Sequence, residues 1–279
     1  MTKQELLKLI MKEIDNIPPI PENINKIKKL IKSTTSSVQS IANYVKRDPA
    51  LTADLLKIAN SAAYMTRNRV NTAERAITTI GLVQLETIIL TIGARQVLEG
   101  RYEAAESIWE HSFKCGFYAK HLLTMKRLND DADSVYTAGL LHDIGKLVLL
   151  SLRPELVDKI NKLSLAKNVP IHQIEKLAIG LSHAEIGEKI AASWNFPTNL
   201  VKAIGDHHQP RLSNEEHRPM VYTTYLANIL CKRPEAESVF STIEEKVLEF
   251  FEIDSVKTLE SIIHTLDEFY LTASEALNV

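Results

Sequence analysis

The chain has 279 residues and a formal net charge of -2, with 45% hydrophobic and 24% charged residues, a balance close to globular averages that excludes disordered and fibrous classes. Lysine and arginine are scattered among acids, which argues against the basic field that non-specific nucleic-acid binding needs, and Cys115 and Cys231 lack the spacing of a disulfide framework or zinc ribbon, so they read as buried free thiols. No apolar run is read as approaching the roughly 18 to 20 residues that span a bilayer, and Met1-Thr2-Lys3-Gln4-Glu5 lacks a signal-peptide pattern, so a cytoplasmic protein without membrane contact is expected.

Glycine and proline are few, prolines fall at segment edges, and apolar residues between them recur at three-to-four spacing, which predicts helices throughout. A first amphipathic helix is expected near residues 3 to 14. Pro18-Pro19-Ile20-Pro21 must be extended, and a new helix starts at about Glu22, where Lys26, Lys28, Lys29 and Lys32 read as a solvated face. Ser36-Ser37-Val38-Gln39 has capping-box form ahead of the stripe Ile41, Ala42 and Val45. Asp48 is a natural N-cap with Pro49 at the first helical position, opening a helix from Ala50 to Tyr64 with Leu51, Leu55, Ile58 and Ala62 on one face. Asn71-Thr72-Ala73-Glu74 is another start, and Gly81 marks the break before a long apolar helix to about Leu98. Helix resumes from Ile108, with Trp109 read as core, and Asn129-Asp130-Asp131 turns the chain into one very apolar helix from about Ser134 to Leu152. Further helices follow near residues 155 to 167, 171 to 179, 182 to 194 (ending on a packed Trp194), 198 to 206 and 220 to 232, and residues 235 to 279 read as two or three amphipathic helices.

His142, Asp143 and Lys146 stand inside the most apolar of these helices, and each is costly to bury unless paired or bound to a metal. On a continuous helix the first two would lie about 100° apart, able to reach one ion, with Lys146 a turn along on the His142 face and able to meet a phosphate there. Gly145 leaves room for a close helix contact or a ligand. His111, His183 and the doublet His207-His208 begin or end other helices, and an imidazole-rich set with one carboxylate suits iron, manganese or zinc. Each histidine also has a plain structural reading: His111 as a cap or hydrogen-bonded core residue, His183 beside a Ser182 cap, and the doublet at a helix end where the dipole favours imidazolium. His121, His172, His217 and His264 have no comparable context.

The order His111, His142-Asp143, His183, His207-His208 and the stretch Gly139-Leu140-Leu141-His142-Asp143-Ile144-Gly145-Lys146 resemble the HD superfamily of metal-dependent phosphohydrolases, especially its HD-GYP branch. That resemblance implies His111, His142, Asp143, His183, His207 and His208 as metal ligands around one or two divalent ions, and Lys146 and Asp143 as the catalytic pair. Two departures stand out: no Gly-Tyr-Pro signature follows the doublet, and the aspartate expected on the next helix is Asn228 in Leu226-Ala227-Asn228-Ile229-Leu230, a weaker ligand. In the first half, Pro18-Pro19-Ile20-Pro21-Glu22, Arg47-Asp48-Pro49-Ala50-Leu51-Thr52, Ile58-Ala59-Asn60-Ser61-Ala62-Ala63-Tyr64 and Ala76-Ile77-Thr78-Thr79-Ile80-Gly81-Leu82 resemble HDOD motifs in order.

The HDOD resemblance implies an all-α protein, an HD-superfamily-like helical domain preceded by an HDOD-type helical bundle. Its expected parts are residues 1–100, residues 101–234, and a tail of residues 235–279 packing on the core. HDOD proteins are bacterial signal-transduction modules, often without intact HD ligands, and with no receiver, cyclase or kinase segment in the sequence this one is expected to be free-standing. The implied function is regulation through contacts with signalling proteins or a small ligand, with a metal site. The alternative is a phosphohydrolase acting on a nucleotide or phosphate ester. Binding of DNA or RNA through the helix pair at Asp48-Pro49 is disfavoured by the near-neutral charge.

Overall fold

The computed structural model describes residues 2–60, 64, 66, 68–99, 106–128, 132–232 and 234–275, and all its regular elements are helical, with no strand among the described residues. Helix α1 (Lys3–Asp15) starts on a capping box between Thr2 and Glu5 and buries Leu6, Ile10 and Ile14 along one stripe. After the extended prolines comes α2 (Glu22–Lys32), burying Ile24 and Ile27; its lysines pair outward, Lys26 with Glu22 and both Lys28 and Lys32 with Glu86. The box opening α3 (Val38–Val45) joins Ser37 to Ser40, so the cap sits one residue later than Ser36.

Asp48 caps α4 (Pro49–Ala59) by accepting from Leu51 N–H at 3.0 Å, and its other oxygen accepts from Asn23 Nδ2 at 2.8 Å, fastening this corner to α2. The helix ends at Asn60, whose side chain exchanges two 2.7 Å hydrogen bonds with the Val70 backbone, so it stops short of Tyr64; residues 61–63, including Ala62 of the expected face, lie outside the described residues. Thr72, not Asn71, caps α5 (Ala73–Ile80), and Glu74 pairs with Lys46 instead of closing a box. Gly81, at a φ of 87° that disfavours a side chain, turns the chain into α6 (Leu82–Glu99).

Helix α7 (Glu106–Met125) is followed by two helices where one was expected: α8 (Ala132–Leu141) and α9 (Ile144–Leu152), broken at His142 and Asp143. The turn expected at 129–131 lies outside the described residues. Asp143 has φ -100° and ψ 8°, between helix and turn, so His142, Asp143 and Lys146 do not share a continuous helical face. Against expectation, Ser134–Leu152 is long and apolar enough by composition to cross a membrane, yet 78% of it is buried by neighbouring helices. Periodicity alone does not separate these cases.

Glycine crossings grip both sides of this corner. A Cβ on Gly139 would lie 2.5 Å from Gly116 Cα, and one on Gly145 would lie 2.0 Å from the His183 carbonyl oxygen. The first brings α8 onto α7. The second brings α9 onto α12 (His183–Ser193), so the room at Gly145 is filled by backbone and not by a ligand. Between them run α10 (Pro154–Lys167) and α11 (Ile171–Ala178), and α13 (Thr198–Asp206) lies against α12. After two short 3-10 turns, α14 (Arg218–Leu230) crosses α7, α8 and α13.

The chain closes with α15 (Ala236–Phe240), α16 (Glu245–Phe251) and α17 (Val256–Glu275); α17 docks on α7 through a Tyr118–Asp267 hydrogen bond and a Lys114–Asp267 ion pair. One hydrophobic core runs from Leu6 to Leu266, joining the first half through α2, α6 and α8. Trp109 and Trp194 are both buried in it, and Trp194 Nε1 donates to the Pro18 carbonyl at 3.1 Å.

Candidate metal centre

The helix break turns the Asp143 carboxylate into a space lined by histidines from α7, α12 and the end of α13. His142, His183 and His207 are fully buried and Asp143 is 1% exposed, while edges of His111 and His208 reach solvent. Around Asp143 Oδ1 stand His183 Nε2 at 3.3 Å and His207 Nε2 at 3.9 Å. Around Oδ2 stand His142 Nε2 at 3.2 Å, His111 Nε2 at 3.7 Å and Lys146 Nζ at 2.6 Å. His208 Nε2 is 2.9 Å from His183 Nε2. The six predicted ligands thus come together, in two groups able to hold a cation: His183, His207 and His208, and His111, His142 and Asp143.

Hydrogen bonds on the far side of each ring assign the tautomers. Nδ1 of His142 lies 2.8 Å from the Gly139 carbonyl, Nδ1 of His207 lies 2.7 Å from the Ile204 carbonyl, and Nδ1 of His183 lies 2.6 Å from Glu175 Oε2. These partners accept, so the first ring proton belongs on Nδ1 and Nε2 is left to ligate, the usual arrangement behind a metal-binding histidine. His142 Nε2, His207 Nε2 and Asp143 Oδ1 are buried with no hydrogen-bond partner. The 3.3 Å approach of His183 Nε2 to Oδ1 is therefore proximity of two electron-rich atoms, not a hydrogen bond. Buried orphans of this kind are costly, and a divalent transition ion among imidazoles and one carboxylate relieves them, so the residues present fit such an ion.

The electrostatics agree. Burial pushes the Asp143 carboxyl up, but His142, Lys146 and His183 outweigh it and hold the group well below the usual carboxylate range. Burial, then neighbouring imidazoles, holds His207 and His208 well below the ordinary histidine value, which disfavours the imidazolium form that a helix end would favour. His111 is shifted the other way: burial lowers it, but Cys231 and Asp143 outweigh burial.

His111 lies inside α7 and not at its first residue. Its Nε2 is 3.1 Å from Asn228 Oδ1 and its Nδ1 is 3.6 Å from Cys231 Sγ. Both cysteines are free and buried. Ser182 does cap α12 through a box with Glu185, and His183 follows it as the first residue of the helix, so cap and cluster coexist. Two members escaped sequence reasoning. Glu175 is 3% exposed and accepts both the backbone N–H of His183, at 2.8 Å, and its ring N–H. His172 stacks on His208 with centroids 4.5 Å apart and planes 13° apart. Their i, i+3 spacing on α11, ahead of His183, was the available signal. Away from the cluster, His121 lies against the Phe117 carbonyl and His264 is exposed beside Glu268.

An all-α scaffold that folds distant histidines around a single buried aspartate at a helix corner defines a helical protein of the HD type. The HDOD domain profile matches residues 17–210, and the chain belongs to the HDOD domain family. An uncharacterized protein of Treponema pallidum (strain Nichols) is 30% identical over 264 residues, covering 94% of this chain and 51% of that protein, so the chain spans about half the length of this relative. Among solved structures, an HDOD domain protein of unknown function from Geobacter sulfurreducens aligns with a TM-score of 0.75 at 21% identity over 98% of each chain. A candidate phosphohydrolase from Shewanella amazonensis SB2B aligns with a TM-score of 0.72 at 22% identity over 96% of each chain. At these identities the likeness establishes the fold.

Proposed function

We propose that this chain is a regulatory HDOD module whose His-Asp cluster holds iron, manganese or zinc as a structural or sensing centre, and that it acts on signalling proteins or responds to a small phosphate-bearing ligand. The observation that carries this reading is the gathering of three buried, unpartnered atoms, His142 Nε2, His207 Nε2 and Asp143 Oδ1, in one cluster, with the far nitrogens of both rings already fixed. His111, His142, Asp143, His183, His207 and His208 are the donors from which its ligands would be drawn. When bound, it would supply Lewis acidity and a cross-link between α7, the α8–α9 corner, α12 and α13. Glu175 orients His183, His172 packs against His208, and Lys146 neutralises Asp143.

Metal analysis of protein purified without chelators tests the reading. Stoichiometric metal, lost in Asp143→Ala and His183→Ala, is the expected result, with a lower unfolding midpoint after chelation. Metal-free native protein, with both variants as stable as wild type, would overturn it. A second reading, a phosphohydrolase, is favoured by one feature: the Lys146 side chain is 28% exposed beside the cluster and could turn from Asp143 toward a phosphate. Turnover of nucleotides or phosphate esters by manganese- or iron-loaded protein would establish that reading, and inactivity across such a panel would support the regulatory one.

A further inference from the structure

The two halves of the cluster are not equivalent. On the Oδ1 side of Asp143, His183, His207 and His208 form one ligand group, and Oδ1 itself is unpartnered. On the Oδ2 side, the oxygen already accepts from the Lys146 ammonium at 2.6 Å. His142 Nε2 faces that same oxygen at 3.2 Å, the one the ammonium already occupies, and not the unpartnered Oδ1. His111 Nε2 is taken by the Asn228 amide at 3.1 Å, where a carboxylate would have contributed a charge and a stronger ligand bond.

Charge points the same way. Asp143 is the one carboxylate, among the described residues, paired with these histidine Nε2 atoms, and Glu175 stands behind His183. Those two acids are set against the Lys146 ammonium, so one divalent ion already takes up all the negative charge the cluster offers. A second ion would enter beside Lys146 with no further carboxylate to meet it, in a site that is almost wholly buried.

We propose, on the premise that the cluster binds metal at all, that this chain holds one divalent ion at His183, His207, His208 and Asp143 Oδ1, and that Lys146 and Asn228 close the second position. The ammonium is then an internal cation standing where a second metal would sit. His142 and His111 complete the packing around Asp143 without ligating.

Manganese(II) is a suitable probe because it reports both stoichiometry and spin coupling. Wild-type protein, titrated calorimetrically and followed by electron paramagnetic resonance, is expected to take one ion per chain with an uncoupled six-line signal. The Lys146→Met, Asn228→Asp double variant, freed of the ammonium and given a carboxylate, is expected to take two, with the broadened signal of a coupled pair. His183→Ala should weaken binding about a hundredfold and His142→Ala less than tenfold. If His183→Ala does not fold, the partly exposed His208 supplies the same comparison through His208→Ala.

Two ions of similar affinity in wild type, equal losses in the two histidine variants, or a double variant that still takes only one ion would each overturn the proposal. Absence of any bound ion would instead overturn the metal reading beneath it.

Discussion

Replacing Glu175 is the sharpest test of how the cluster is held. One carboxylate oxygen accepts two N–H groups of His183, at 2.8 Å from the backbone and 2.6 Å from the ring, in a site where Glu175 is 3% exposed and His183 fully buried. Glu175→Ala leaves both donors unpaired and removes a buried charge, at roughly 1–3 kcal/mol per donor, so a loss of about 3–5 kcal/mol is expected. Glu175→Gln keeps an oxygen that accepts with less strength and should lose about 1–2 kcal/mol. For large single domains each kcal/mol moves the melting temperature about 2–4 °C, which separates the variants in calorimetry of chelated protein. Metal affinity should fall about 10- to 100-fold in both, because the ring loses its orienting acceptor. An alanine variant within 1 kcal/mol of wild type would refute the claim that Glu175 positions His183.

Gly145→Ala should destabilise by about 3 kcal/mol or more, because its Cβ would meet His183 backbone at 2.0 Å and no side chain can yield; a melting temperature within 2 °C of wild type would count against the crossing. Asp48→Ala removes the α4 cap and the Asn23 bond and should cost about 1–2 kcal/mol by urea denaturation, with metal content unchanged. In metal-free protein, stability should fall as pH drops below the unfolded histidine value of about 6.5. There the unfolded chain takes protons that buried His207 and His208 refuse, at a slope of up to about 1.4 kcal/mol per pH unit for each. His111, raised instead of lowered, offsets part of this; Asp143, held low, adds a further loss only below about pH 4. Denaturation midpoints at pH 7.5 and 5.5 check the sign, and a protein more stable at the lower pH would refute it.

The helical plan was legible because caps and apolar stripes agree: Asp48-Pro49, Gly81 and the Leu6, Ile10, Ile14 spacing all mark what the chain does there. Caps slipped by one residue where adjacent polar residues compete, as at Ser36 and Ser37 or Asn71 and Thr72. The break at His142 was hidden because Leu140, Leu141, Ile144 and Leu147 are buried on both sides of it, so hydrophobicity carries no mark of the turn. The histidines and Asp143 stood out as chemistry misplaced in an apolar setting. Glu175 did not, since an acid on a short amphipathic helix reads as solvated until the fold brings His183 over it.

The cluster draws its donors from His111 on α7 through His208 after α13, with helices folded between them. In the unfolded chain these groups are separated by long flexible loops, and gathering them carries an entropic cost that the native fold has already met. An ion bound there would meet donors that the packed helices gather, and its binding free energy would add to the stability of that folded state. It would enter past the exposed edges of His111, Lys146 and His208. Metal availability would then shift the balance between the folded and the unfolded chain.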